Sequence, residues 1–207
     1  MTLRHTPVLG LAGGVASGKS TVAAMFRELG AGVVDADRLG HEALRDEDVK
    51  AGLRERWGEE ALTAEGEVDR ARVAQMVFAD EAARRFLNEL VHPRIRQRIR
   101  RDIENLSREG ARLIVLDAAL LFEGGLESWC DAVAFVRAAK DERSKRAHRD
   151  RAWDAGEVAR REAAQMDPEE KLRRSDEVID NGGDLERTRS QVRDIYERMA
   201  APAQSAG

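Results

Sequence analysis

Residues 8–23 read VLGLAGGVASGKSTVA, and the parsing of this stretch decides the fold. Val8 to Ala12 is a short apolar run of strand type. TVAAMFREL (21–29) follows with helical spacing at Val22, Met25, Phe26 and Leu29, and Gly30 and Gly32 close it as glycines beyond a last turn do. Between strand and helix lies GGVASGKS (13–20), which fits G-x-x-x-x-G-K-[ST]. A triphosphate must come within hydrogen-bond reach of several backbone N–H groups, so such a loop carries little side-chain bulk and needs unusual dihedrals. The N-terminus of the following helix adds unpaired N–H groups and a partial positive charge. The expected ATP-binding set is therefore Gly13, Gly14, Val15, Ala16, Ser17, Gly18, Lys19, Ser20 and Thr21. Lys19 would reach the β- and γ-phosphates, and the Ser20 hydroxyl would ligate Mg²⁺. A glycine-rich turn without a ligand is the plain alternative, and its place between a strand and a helix speaks against it.

Further strand candidates are VVDAD (33–37), RLIVLDA (112–118), DAVAFVRA (131–138) and the shorter EVIDN (177–181). Strands alternating with helices predict an α/β fold, a five-stranded and mainly parallel sheet flanked by helices with right-handed crossovers. The interval 38–111 breaks the alternation and reads as a helical insertion over one edge of the sheet. Residues 1–37 and 112–200 then form the nucleotide-binding core. In the insertion Val91, Ile95, Ile99, Ile103 and Leu106 make one apolar stripe, with arginines at 94, 96, 98, 100 and 101 between them, a pattern that a solvated helix face explains. The tail APAQSAG (201–207) is expected to be disordered.

Composition narrows the function. At 42% hydrophobic residues a sizeable core can form, while 4% aromatic residues and a net charge of −4 weaken any case for a nucleic-acid platform. The single cysteine, Cys130, excludes an intramolecular disulfide. Arg4 and His5 ahead of VLGLAGGVAS imitate a secretory leader, but the helix pattern continues unbroken downstream, so a buried strand is the better reading. No run approaches the roughly 18 apolar residues of a membrane span. A soluble cytoplasmic protein is expected.

Three stretches bear on the reaction. Asp35 and Asp37 of VVDAD are two apart, so on a strand both would point to one face. Either could take the proton of an attacking hydroxyl or hold a metal-bound water, or simply cap the next helix. Asp117 closes an apolar strand, as a carboxylate supporting Mg²⁺ through water would. DERSKRAHRDRA (141–152) carries Arg143, Arg146 and Arg149 and, its alanines apart, has no apolar face to bury. A cationic lid over the phosphates, spanning about 141–168, would use that spacing, although an ordinary exposed helix would also show it. A GTPase would need an Asn-Lys-x-Asp element, which is absent.

Together these stretches resemble the dephospho-coenzyme A kinase family from about Val8 to Asn181. The matching elements are LAGGVASGKSTVA (11–23), VVDADRLGHE (33–42), VFADEAARRFLNELVHPRIR (77–96), LLFEGGL (120–126), RAHRD (146–150), REAAQM (161–166) and DEVIDNGG (176–183). The resemblance implies transfer of the ATP γ-phosphate to the ribose 3′-hydroxyl of dephospho-CoA. It implies Asp37 as general base, with Lys19 and Arg146 as its catalytic companions, and Arg146 and Arg149 as lid arginines near the phosphates. Asn181 falls on the adenine side. His92 and Pro93, in the CoA-side helical domain, fall with Leu121, Glu123 and Asp37 on the acceptor side, and Ser20 with Asp117 at the metal. The partners implied are ATP and dephospho-CoA, with no nucleic acid and no membrane, and a monomer is expected. Ala16 stands where the family often has glycine, Glu162 where an apolar residue is usual, and Ser175 where alanine is. Another small-molecule kinase, for a nucleoside or nucleotide, or a non-catalytic nucleotide-dependent module, stays open at this point.

Overall fold

The computed structural model describes residues 5–201, the side chains of Ala79 and Arg151 excepted. Five strands, β1 (Val8–Gly13), β2 (Gly32–Asp35), β3 (Ile114–Asp117), β4 (Ala132–Arg137) and β5 (Glu177–Asp180), form one sheet in the order β2-β3-β1-β4-β5. Every pairing is parallel, so all five strands present their C-terminal ends at one edge. That edge is where ligands bind in open α/β sheets. In register, Leu11 of β1 faces Asp117, and Asp117 faces Asp35 of β2.

All six residues of β1 are buried, which suits a central strand covered by helices on both faces. Helix α1 (Lys19–Glu28) packs Val22, Met25 and Phe26 into the same core as Leu9, Leu11, Val115 and Val136. Helix α9 (Leu185–Ala200) adds Val192 and Ile195. Between β4 and β5 run α6 (Lys140–Arg151), α7 (Ala155–Ala163) and α8 (Pro168–Arg173). Asp154, Asp167 and Asp184 accept first-turn amides of α7, α8 and α9, caps worth about 1 kcal/mol each.

The chain divides into two compact units: the sheet, with residues up to Asp35 and from Ile103 onward, and Ala36–Asp102. The second contains α2 (Ala36–Ala43), α3 (Glu47–Trp57), α4 (Arg70–Ala79) and most of α5 (Glu81–Arg108), with one isolated antiparallel bridge between Leu62 and Val68. Its core is Ala43, Val49, Leu53, Ala61, Val73 and Val91. Of the arginine run, Arg94 pairs with Asp48, and Arg98 reaches Asp46 at 2.6 Å.

One expectation needs correction. The segment 33–37 is not strand throughout: β2 stops at Asp35, and Asp37 lies in the first turn of α2. Successive residues there turn by about 100° rather than alternating, so Asp35 and Asp37 do not share a strand face. The carboxylates aligned by sheet register are Asp35 and Asp117. His92 sits well inside α5. Beyond Ala201 the expected disordered tail lies outside the described residues.

Candidate active site

The loop after β1 starts from a buried strand end and finishes on a helix start, and both ends constrain it. Gly18, the residue before α1, has φ 90°, and a Cβ there would collide with the Asn181 side-chain amide. A Cβ on Gly14 would stand 2.7 Å from Arg143 Nη1. Ala16 also takes a positive φ, 57°, which is the conformation that makes glycine common at such a place. The Ser17 amide donates to Gly14 O at 3.2 Å, and the Thr21 and Val22 amides donate to Gly18 O at 3.0 and 3.1 Å. The amides of Lys19 and Ser20 precede these first helical bonds, the position at which a helix N-terminus offers N–H groups to an anion. Ser17 Oγ is buried with no hydrogen-bond partner among the described residues, a cost that an acceptor oxygen entering the loop would remove.

Asn181, just past β5, is 2% exposed and serves the loop as a buttress. Its amide Nδ2 donates to Ser17 O at 2.9 Å, while its backbone N–H donates to Arg137 O at 2.8 Å. Arg146 closes the arrangement from α6: Nη2 donates to Asn181 O at 2.8 Å, and Nη1 to Ser17 O at 3.4 Å. Arg143 reaches Val15 O at 3.2 Å and Glu162 Oε1 at 2.8 Å. Glu162, unusual by the resemblance, thus has a local purpose.

Arg149 departs from expectation. It is exposed and bonded to its neighbour Asp150, with Nε 2.5 Å from Oδ1. Residues three apart on a helix fall back by about 60° per step, so Arg149 lies about 120° round from Arg143 and turns away from the loop. Arg143, which the family resemblance does not single out, takes the place beside the loop. Leu121 is another correction: it is 1% exposed and lies against Gly10, where a Cβ would stand 2.9 Å from its Cδ2, so it is a core side chain rather than a substrate contact. Glu123 is also engaged within the protein, by Lys171 Nζ at 3.0 Å and the Met166 amide at 2.6 Å.

Beside the loop opens a cavity of about 690 Å³, bounded by Gly14, the ends of β4 and β5, the start of α6 and one side of α8. Its size is that of a small-molecule pocket. Its lining mixes apolar side chains such as Phe135 and Leu172 with charges of both signs, Arg137, Lys140 and Arg187 among the cations and Asp180 among the carboxylates. On its wall the Gly182 amide, with Arg137 behind it, outweighs burial and holds the Asp180 carboxyl below the usual range. In the helical unit, burial and then Arg96 push the His92 imidazole down, which keeps it neutral near pH 7. Asp37 and Pro93 are exposed there. Among the described residues no helix is long and apolar enough to cross a membrane, and none groups three or more metal-ligating side chains.

A family model described as dephospho-CoA kinase matches residues 7–187. The dephospho-CoA kinase of Geobacillus kaustophilus is 41% identical over 197 residues, covering 95% of this chain and 98% of its own length. That of Carboxydothermus hydrogenoformans is 37% identical over 193 residues, covering 93% and 94%. Among solved structures, a Thermus thermophilus protein superposes with a TM-score of 0.84 at 33% identity, over 96% of this chain and 100% of its own. A dephospho-CoA kinase from Campylobacter jejuni, at 22% identity over 93% of this chain and 96% of its own, shares the fold with a TM-score of 0.62.

Proposed function

The chain belongs to the dephospho-CoA kinase family, and from that premise we propose how its residues divide the work of moving the ATP γ-phosphoryl group to the ribose 3′-hydroxyl of dephospho-CoA. Phosphoryl transfer asks a protein chiefly for positioning and for charge where charge accumulates. The glycine loop and the first amides of α1 grip the phosphates. Lys19, at the head of α1, and Arg146, already bonded to the loop's own buttress, neutralise the oxygens between donor and acceptor. The cavity of about 690 Å³ beside Gly14 takes the nucleoside end of ATP.

Asp37, two residues past the end of β2, accepts the proton of the 3′-hydroxyl as the oxygen attacks. The helical unit selects the acceptor, with neutral His92 and Pro93 on its side. Two hard oxygen donors, the Ser20 hydroxyl in the first turn of α1 and the Asp117 carboxylate at the end of β3, fit Mg²⁺ and would hold it, and the ion would supply positive charge to the phosphates. Asp35, in register with Asp117, is a further oxygen donor at the same sheet edge. We place the enzyme in the cytoplasm as a monomer that uses no nucleic acid. The engagement of Arg94 and Arg98 by Asp48 and Asp46 supports that last point.

The observation that carries this reading is the convergence of Arg146 and Asn181 on the carbonyl of Ser17, in the middle of the glycine loop. It is tested by incubating the protein with Mg·ATP and dephospho-CoA and following coenzyme A by mass spectrometry, beside a panel of nucleosides and nucleotides. Coenzyme A formed in step with ADP supports the reading. Faster turnover of a nucleoside or nucleotide would assign the acceptor side to a different substrate.

A further inference from the structure

In the sheet unit, away from the phosphate loop, lies a buried cation that phosphate chemistry leaves unused. Lys171, on α8, is 1% exposed. A buried ammonium needs acceptors for its three protons. Lys171 Nζ has three: Ala119 O at 3.2 Å, Gln165 Oε1 at 3.1 Å and Glu123 Oε1 at 3.0 Å. They come from two segments far apart in sequence. Ala119 and Glu123 belong to the turn that follows β3 and Asp117, whereas Gln165 belongs to the connection leaving α7.

The same Glu123 oxygen accepts the Met166 amide at 2.6 Å, so the connection is clasped by backbone as well as side chain. Arg174 reinforces it, its guanidinium 4.6 Å from the Phe122 ring centre and its Nη2 2.8 Å from Glu127 Oε1. Ser175 Oγ donates to Lys171 O at 2.8 Å and steadies the end of α8. Upstream, α7 holds Glu162, which binds Arg143, which in turn donates to Val15 O in the phosphate loop. An unbroken series of contacts therefore joins the turn after Asp117 to the loop, and Lys171 and Glu123 together hold both segments.

A buried ion pair is a poor source of stability compared with an apolar pair of equal volume; its best-attested use is to specify one arrangement. We propose that Lys171 is a positioning residue: by bonding Glu123 and Gln165 together it latches the carboxy-terminal hinge of the lid to the turn after β3. The latch sets the angle at which α6 presents Arg143 and Arg146 to the phosphate loop. This rests on reading 141–168 as the lid of a kinase site. It also gives Glu123 an anchoring task in place of a substrate contact.

The test is hydrogen exchange followed by mass spectrometry on the full chain, with and without a non-hydrolysable ATP analogue, for wild type, Lys171→Met and Glu123→Gln. Steady-state rates with Mg·ATP and dephospho-CoA accompany it. With the latch loosened the closed lid is populated less, and exchange within 140–166 should quicken about tenfold while β1, β3 and α1 stay protected. Turnover should fall by a similar factor, about tenfold, at an unchanged KM for dephospho-CoA. Exchange that quickens equally across the sheet, with normal turnover per folded molecule, would reduce Lys171 to a structural ion pair and overturn the proposal. So would a local quickening with unchanged turnover, or no change at all. If Lys171→Met does not fold, Glu123→Gln decides, because glutamine removes the charge that pairs with Lys171, which weakens the latch, while its remaining oxygen spares the fold. Should the wild type make no coenzyme A, the proposed reaction falls, and lid exchange with its protection by the ATP analogue still decides the latch.

Discussion

The phosphate loop and helix α6 meet at Val15 and Ser17, yet they are held in opposite ways. The loop is held by backbone: it leaves a fully buried strand, turns through Gly18 at φ 90°, and enters a helix whose face is packed in the core. Helix α6 is held by side chains. Among its described side chains Ala147 is the one in the buried core, and Arg143 and Arg146 supply its bonds to the loop. A segment with few buried apolar contacts opens at low free energy, whereas a turn built into a central strand does not. An enzyme that must admit and release nucleotide without losing its grip geometry needs one part of each kind.

Five substitutions would break or sharpen this contrast. Asp37→Asn belongs to neither part, and losing a general base typically costs about 10²–10⁴ in rate, so turnover should drop by that factor with ATP affinity unchanged. Near-normal turnover would remove Asp37 from the mechanism. Next comes Arg146→Ala, which should lower kcat by roughly 10²–10³ while leaving thermal stability in place, because it removes charge stabilisation rather than core packing. A matching loss of melting temperature would make Arg146 a structural strut instead.

Gly18→Ala attacks the loop itself. The left-handed conformation costs an alanine about 1–2 kcal/mol, and the new Cβ meets Asn181, so ATP affinity measured by calorimetry should fall roughly ten- to a hundredfold. Ala16→Gly runs the other way. Relief of a similar strain at φ 57°, offset by the extra freedom of glycine in the unfolded chain, should raise stability by up to about 1 kcal/mol in a denaturant titration. A lower midpoint would mean the strain is absent. Smallest of all, Arg149→Ala loses an exposed pair with Asp150, and activity should stay within about twofold of wild type. A large drop would show that Arg149 swings onto the phosphates during turnover.

The strands were legible because apolar runs such as LIVL and VAFV have no explanation other than burial, and all five begin and end within two residues of the expected limits. The loop was legible because its glycines and lysine are neighbours in the chain. Asp37 was misread in its local setting: nothing in VVDAD marks where strand bonding gives way to helix, and one residue of difference turns a side chain from the strand's alternation to the helix's rotation. Arg143, Arg146 and Arg149 of α6 look equivalent by spacing, and only the helix's placement against the loop separates Arg143 and Arg146 from Arg149. Lys171 carried no signal, since a lysine within PEEKLR reads as one more surface charge.

What the sequence by itself determined is what local chemistry dictates: a strand, a phosphate turn and a helix in immediate succession, repeated strand segments, and the family to which their motifs belong. The tertiary structure alone decided which side chains serve the site and which serve the framework. Asn181 became a brace, Leu121 became core, and Glu123 became Lys171's partner, each because segments tens of residues apart were brought within hydrogen-bond or packing distance. Backbone preferences act over a few neighbouring residues, whereas the partner a buried polar group requires is supplied by whichever strand or turn folding places beside it.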